Sequence, residues 1–235
     1  MIPGITTDKI KLSWPLIKLI VKESIKGKGI GRIIMNYALE SLELDGQIID
    51  LGSGSTKASY YRFIKFNQPF KIIQTDLYQE KENFIKLDLE RKFILADDSF
   101  DSILCFNTLE HVYNYQNVVL ESFRILKIGG RFIGATPFIC DYHPSPNDYF
   151  RYSVEAINQI FIGAGYKPEK MIYLGFGPFT AGFSQWGNLL PNQFILNIIK
   201  LILLFFHIFL DMLLESVTKR FKNNYPLGYL YIFVK

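Results

Sequence analysis

The chain has 235 residues, 49% of them hydrophobic, which is enough for one domain with a substantial core and excludes an intrinsically disordered protein. The net charge of +4 arises at the N-terminus, because residues 1–32 carry charges of +7 and −2 and the rest is close to neutral. This distribution argues against a nucleic-acid-binding surface. It leaves the basic segment to contact an anionic membrane or an acidic partner.

The predicted elements begin with a helix that Ser13 caps and that has a proline in its first turn. A second helix is predicted over 33–44, and apolar strands then alternate with helices. Strands are predicted at 47–51, 71–75, 84–87, 100–106, 131–136, 170–174 and 229–234, with helices at 118–126 and 154–164. This alternation predicts an α/β fold with a doubly wound, mostly parallel, seven-stranded sheet that has helices on both faces.

The segment 193–218 adds a hydrophobic helix before the last strand. Its polar side chains recur on one narrow stripe, and the other faces consist of Ile, Leu and Phe. Polar and charged residues break the apolar run, which argues against a membrane-spanning helix. Two interpretations stay open. The helix packs on the domain as a lid over a ligand pocket, or it lies on a membrane surface together with the basic segment 9–26.

A glycine-containing turn, D-L-G-S-G at 50–54, follows the first predicted strand of the sheet. Glycines at the carboxyl end of a parallel strand let a ligand approach the backbone closely. The turn lacks the third glycine of a dinucleotide-binding motif and contains an acid, which favours a cationic ligand without phosphates. Asp76 and Asp88 end the next two strands, where a carboxylate can accept hydrogen bonds from ribose hydroxyls or an adenine amine. Capping of a helix or turn is the alternative role for each acid.

Five motifs together make the chain resemble the class I S-adenosylmethionine-dependent methyltransferases, in their small-molecule, type 11-like branch. They are I-I-D-L-G-S-G-S (48–55), Q-T-D (74–76), L-D-L-E (87–90), F-D-S-I-L-C-F-N-T-L-E-H-V (100–112) and L-K-I-G-G-R-F (126–132). The resemblance implies a Rossmann-like fold and S-adenosylmethionine as the cofactor. It also implies a cofactor site formed by Asp50, Gly52, Ser53, Gly54, Asp76, Leu77, Asp88, Leu89 and Asn107.

Two segments supply candidate catalytic groups. One follows the fourth strand, and the other is the proline-containing loop 143–152, which resembles loops of methyltransferases from polysaccharide and natural-product pathways. The predicted catalytic residues are His143, His111 and Asp148, with a histidine as the general base. The predicted acceptor-binding residues are Glu110, Tyr149, Arg151 and Tyr152. A purely structural loop with an Asp148–Arg151 ion pair is the alternative. No metal site is expected, because the cysteines lack partners at metal-site spacing.

We therefore expect one methyltransferase domain, 1–235. It comprises N-terminal helices at 1–45, a cofactor-binding core at 46–175, a lid or membrane-facing insertion at 176–224 and a final strand at 225–235. The expected acceptor is a small molecule, a glycan or a lipid-linked intermediate. No secretory signal is evident, so we expect a cytoplasmic location, either free or peripheral to the membrane. The alternatives are a non-catalytic Rossmann-like scaffold and a nicotinamide-dependent oxidoreductase; the missing third glycine argues against the latter.

Overall fold

The computed structural model describes residues 6–54, 58–78, 84–187, 189–218 and 224–235, and the described strands form one sheet. The strands are β1 Thr6–Lys9, β2 Glu43–Asp50, β3 Lys65–Asp76, β4 Phe84–Lys86, β5 Phe100–Phe106, β6 Leu126–Pro137, β7 Lys167–Leu174 and β8 Gly228–Val234. They are ordered β1-β7-β8-β6-β5-β2-β3-β4. Only β8 runs antiparallel to its neighbours, β6 and β7, within this described sheet. The predicted mostly parallel α/β fold is confirmed.

Helices cover both faces of the sheet and create two apolar cores. They are α1 Trp14–Ser24, α2 Ile30–Leu39, α3 Tyr115–Ile125, α4 Val154–Gly163, α5 Pro178–Gly187 and α6 Phe194–Val217. One core lies between the sheet and helices α1, α2, α5 and α6. The other lies between the sheet and helices α3 and α4. Successive side chains of a strand point to opposite faces, so Ile48 enters the first core and Ile49 enters the second.

Several element boundaries differ from the prediction for identifiable reasons. The sheet has eight described strands rather than seven, because the polar segment Thr6–Lys9 pairs with the edge of β7 without an apolar pattern of its own. The second helix ends at Leu39 rather than 44, because the chain then enters β2 alongside β3. The predicted start of α1 is confirmed, since the Ser13 hydroxyl accepts a hydrogen bond from the backbone N–H of Leu16.

A buried carboxylate on α1 connects the N-terminal helices to the segment after β2. Glu23 is almost fully buried and pairs with Lys28 at 3.0 Å and with Arg62 at 2.5 Å. Arg62 belongs to a short 3-10 helix, Ser59–Phe63. Burial alone would raise the pKa of Glu23, but the hydrogen bonds from Lys28 and Arg62 outweigh it and lower the pKa from 4.5 to about 2. The ionised side chain therefore stabilises the fold.

Replacement Glu23→Gln should lower the free energy of unfolding by about 3 kcal/mol at pH 7, because the pKa shift is worth about 1.4 kcal/mol per unit. The folded-state pKa is the lower one, so this stabilisation is present above pH 4.5 and is lost as the pH falls towards 2. Urea denaturation at pH 7 and at pH 3 measures the difference. Glu43→Gln removes an exposed ion pair with Lys65 and should change stability little. Equal stability of Glu23→Gln and wild type at pH 7 would contradict this assignment.

Candidate active site

Hydrogen bonds with Thr75 of the neighbouring strand β3 fix the conformation of the turn after β2. Gly52 and Gly54 have φ of +69° and +76°, in the left-handed region that favours glycine. The N–H of Gly52 donates to the Thr75 hydroxyl at 3.0 Å, and that hydroxyl donates to the backbone oxygen of Asp50 at 3.1 Å. A Cβ at Gly52 would lie 2.4 Å from Cγ2 of Thr108, whereas a Cβ at Gly54 would meet open space. The turn therefore exposes backbone to a cavity. The adjoining residues 55–57, which include the last residue of the predicted motif, lie outside the described residues.

A cavity of about 890 Å³ lies at the carboxyl ends of β2, β3, β4 and β5. This edge of a parallel sheet is where α/β folds bind ligands. The structure brings most of the predicted cofactor residues to its wall, namely Gly52, Gly54, Asp76, Leu77, Asp88, Leu89 and Asn107. Ser53 lines an adjoining cavity of about 330 Å³ together with Gly52 and Tyr60. The volume of the larger cavity is in the range of sites for nucleoside-sized ligands.

The acids at the ends of β3 and β4 are held by their own turns. Asp76 Oδ1 accepts a hydrogen bond from the N–H of Tyr78 at 2.7 Å. Asp88 Oδ1 accepts one from the N–H of Glu90 at 3.0 Å, and its Oδ2 lies 3.1 Å from Arg91. These local bonds fix each carboxylate at the cavity wall. Each acid therefore caps its own turn at a position that faces the cavity.

Asp50 is not among the residues that line the described cavities, and its contact with the cofactor stays a prediction. Its side chain is fully buried, and the hydroxyls of Tyr60 and Tyr61 donate to its Oδ2 at 2.5 and 2.6 Å. Burial raises the pKa of Asp50 to about 7, against the lowering effect of the two tyrosines. Asp50 is a positioning residue, because Tyr60 reaches the cavity beside Ser53. The two tyrosines are functional candidates that the sequence analysis missed.

A third cavity, also of about 330 Å³, is bounded by α2, the end of β6 and α5. It lies next to the cavity of about 890 Å³, which we call the cofactor cavity. Asn107 and His111 line both cavities, so the two spaces meet at these side chains. Asn107 has a φ of +50°, a strained conformation that is common at functional sites. Arg32 on α2 and Gln185 on α5 also line this third cavity, and neither residue was predicted from the sequence. We call this space the acceptor cavity.

Three residues form a Glu-His cluster, Glu110, His111 and His143, at this junction. The Nε2 atoms of His111 and His143 lie 3.8 and 3.9 Å from Oε1 of Glu110, and the two rings pack edge to face. Glu110 is fully buried, and neither of its oxygens has a hydrogen-bond partner among the described residues. The Glu110 carboxylate raises the pKa of His143 to about 9, although desolvation opposes the shift. Glu110 is buried behind the two histidines and is not among the residues that line the described cavities, and its contact with the acceptor stays a prediction.

The rest of the 143–152 loop holds His143 in place. Asp148 is buried, accepts a hydrogen bond from the N–H of His143 at 2.9 Å and receives two more from Arg151 at 2.5 and 2.7 Å. Tyr152 is buried, and its hydroxyl donates a hydrogen bond to the backbone oxygen of Leu109 at 3.3 Å. These contacts hold the loop around His143, and the predicted catalytic role of Asp148 and acceptor-binding roles of Arg151 and Tyr152 stay predictions. Tyr149 lines the cofactor cavity.

Comparisons with known proteins agree with this geometry. Residues 50–134 match the family model described as a methyltransferase domain. A methyltransferase from Mesorhizobium loti shares 14% identity over 90% of this chain and all of that chain, with a TM-score of 0.53. One from Archaeoglobus fulgidus shares 12% identity over 92% of this chain and 98% of that chain, with a TM-score of 0.52. The [4+2]-cyclase SpnF shares 11% identity over 87% and 81%, with a TM-score of 0.54. No curated protein matches the chain.

The match over residues 50–134 confirms the predicted resemblance to the class I, type 11-like methyltransferases and the predicted enzyme class. S-adenosylmethionine is the cofactor that this family uses, which confirms the cofactor prediction. At these identities the solved structures establish the fold alone, and SpnF shows that the fold also supports other reactions. The residues present fit the cofactor, because the turn at Gly52 exposes backbone to a nucleoside-sized cavity whose wall carries two acids.

Proposed function

We propose that the protein transfers a methyl group to a lipid-linked acceptor at the cytoplasmic face of a membrane. The observation that carries the proposal is the position of the acceptor cavity. One of its walls is α5, and α5 packs on α6, which has an exposed apolar outer face. An acceptor anchored in lipid could therefore reach the cavity from the surface on which α6 lies. A free glycan or small molecule would have no need for this arrangement.

We propose separate roles for the residues of the cofactor cavity. The backbone at Gly52 and Gly54 approaches the methionine part of the cofactor. Asp76 accepts the hydrogen bonds of the ribose hydroxyls, and Asp88 with Leu89 contacts the adenine. The positions of these residues along one cavity wall support the assignment. Asn107, shared by both cavities, lies where the donor and the acceptor would meet.

Catalysis then depends mainly on alignment. The cofactor supplies an activated methyl group, so the chain has to hold the acceptor in line with it and exclude water, an effect worth up to about 7–11 kcal/mol in model systems. We propose that the Glu-His cluster orients the acceptor atom at the junction of the two cavities. With the cofactor bound as methyl donor, the proton of a hydroxyl acceptor would pass to this cluster. Asp148 and Arg151 fix His143 for this purpose.

The outer face of α6 supports contact with a membrane. This helix is the one described helix that is long and apolar enough to cross a membrane, judged by length and composition alone, and 22% of its most apolar window is buried. Its polar stripe faces the protein, as the hydrogen bonds of Asn197 and Asp211 show. Most of the wide apolar surface of α6 is exposed. Because its polar side is fixed to the domain, we propose that α6 lies on the membrane rather than across it.

Methyl transfer from a labelled donor to membrane lipid extracts tests the proposed function. We expect label in an organic-phase glycolipid whose mass increases by one CH₂ group, measured by mass spectrometry. Asp76→Asn should lower the rate at subsaturating donor about 10-fold or more, because it weakens hydrogen bonds to a charged group. Asp45→Asn alters an exposed acid on β2 away from the cavity residues and serves as the control. Label confined to the aqueous phase would contradict the lipid-linked acceptor, and no label with bound donor would contradict methyl transfer.

A further inference from the structure

We propose that Glu110, His111 and His143 bind one divalent transition-metal ion, with zinc as the best match, between the cofactor and acceptor cavities. The sequence predicts no metal site, because its cysteines lack partners at metal-site spacing. Glu110 and His111 are far from His143 in sequence, and the fold brings the three residues together. The inference concerns ion binding and does not depend on the identity of the methyl acceptor.

The donor atoms have the separations that a single ion requires. The ligand atoms of the three side chains all lie within 4.8 Å of one another, and both Nε2 atoms lie within 3.9 Å of Oε1 of Glu110. Ligands held about 2.0–2.2 Å from a zinc ion lie about 3–4 Å from each other. Small side-chain movements would therefore complete the site without rearrangement of the backbone.

Both histidines are already oriented as ligands by backbone carbonyls. Nδ1 of His111 lies 2.6 Å from the oxygen of Asn147, and Nδ1 of His143 lies 2.8 Å from the oxygen of Asp141. A carbonyl oxygen accepts hydrogen bonds only, so each Nδ1 carries a proton and each Nε2 faces the carboxylate of Glu110. Metal-bound histidines in proteins commonly have this arrangement, in which the outer nitrogen donates to a carbonyl.

Glu110 provides the second, independent indication of a cation. A fully buried carboxylate with no hydrogen-bond partner in the described part of the chain is costly, and a bound cation would offset that cost. Two imidazoles and one carboxylate favour zinc or a similar transition-metal ion over magnesium, which prefers oxygen ligands. Three protein ligands also leave a coordination position open. His111 and His143 line the acceptor cavity, so an acceptor oxygen could take that position.

Calorimetric titration of the chelator-treated, full-length protein with zinc chloride tests the site. We expect one zinc ion per chain, and a cobalt(II) titration should give the visible spectrum of a bound ion. Glu110→Gln and His143→Gln should each weaken zinc binding by at least about 100-fold, because loss of a ligand exceeds the 10–100-fold effect of losing a supporting residue. If Glu110→Gln gives no cooperative thermal transition, His143→Gln carries the test alone, since its ring is partly exposed.

Two control variants exclude adventitious binding. Cys140 Sγ lies 3.5 Å from Nδ1 of His143, so Cys140→Ser tests a thiol-centred site, and His207→Gln removes the histidine of α6. Both variants should bind zinc like the wild type. Absence of stoichiometric zinc in the wild type would overturn the proposal, as would loss in Cys140→Ser or retention in His143→Gln. Titration of the same His143→Gln protein with S-adenosylmethionine tests the cofactor site separately.

Discussion

Replacement Gly52→Ala should reduce the affinity for S-adenosylmethionine at least about 30-fold, equivalent to about 2 kcal/mol. An alanine at φ +69° is strained, at a cost of about 1–3 kcal/mol. Its Cβ would also meet Cγ2 of Thr108 at 2.4 Å. Thr108 has little freedom to move, because its hydroxyl donates to the backbone of Leu51 at 3.2 Å. The turn itself must therefore shift, and it is the part of the chain that exposes backbone to the cofactor cavity. Isothermal titration calorimetry measures the loss.

Substitutions at two other glycines distinguish the steric clash with Thr108 from the backbone strain of a positive φ. Gly54→Ala introduces a side chain at φ +76° into open space, so we expect an intermediate loss of affinity. Gly182→Ala changes a residue in α5 where no heavy atom lies within 4 Å of the new Cβ, and it should leave binding unchanged. Thermal unfolding of all three variants checks that the domain is intact. Wild-type affinity in a folded Gly52→Ala protein would show that the turn does not hold the cofactor.

The cofactor cavity could be predicted from sequence because it follows from strand direction. β2, β3, β4 and β5 are parallel neighbours, so the residues that follow them must meet at one edge of the sheet. This places Asp76, Asp88 and Asn107 around the turn without knowledge of any side-chain contact. The burial of Asp50 could not be predicted, because its position in the strand does not reveal what covers it. That depends on Tyr60 and Tyr61 folding back over the end of β2.

Features that depend on packing between distant segments could not be predicted. The Glu-His cluster requires a loop after β6 to return beside the end of β5, and no spacing rule encodes that return. The walls that Arg32 and Gln185 contribute depend on how α2 and α5 cross the sheet edge. For α6, the pattern defines a polar stripe but not the direction in which it faces. The hydrogen bonds of Asn197 and Asp211 show that it faces inward.

Because the polar stripe of α6 faces the domain, its apolar side chains are exposed and should bind lipid. Wild-type protein should co-float with vesicles that contain anionic lipid. The triple variant Ile202→Gln, Phe206→Gln, Phe209→Gln should bind at least about 100-fold more weakly. These side chains follow one another at helical spacing and are 65%, 55% and 59% exposed. Full burial of such a side chain is worth about 1.5–3 kcal/mol, so partial burial of three in lipid accounts for this difference. Glutamine preserves the helix propensity.

A matched variant tests whether any exposed apolar surface would give the same result. Ile94, Leu120 and Ile128 are also exposed, and Leu120 belongs to α3, which covers the opposite face of the sheet. Their simultaneous replacement by glutamine should leave vesicle binding unchanged. Equal losses in the two triple variants would indicate nonspecific adsorption rather than a lipid-binding face on α6.

The polar stripe of α6 faces the domain, so the positive charges that would attract anionic lipid next to α6 are on α1. α1 packs against α6 and carries the exposed residues Lys18 and Lys22, with Trp14 exposed beneath the ammonium of Lys18. Each lysine near an anionic surface contributes about 1 kcal/mol and is screened by salt, so binding should weaken in neutral vesicles and at high ionic strength. Because Asn197 and Asp211 fix α6 to the domain near both of its ends, high salt with alkaline carbonate should release the protein from membranes. Resistance to that extraction would mean that α6 leaves the domain and spans the bilayer, against the hydrogen bonds that hold it.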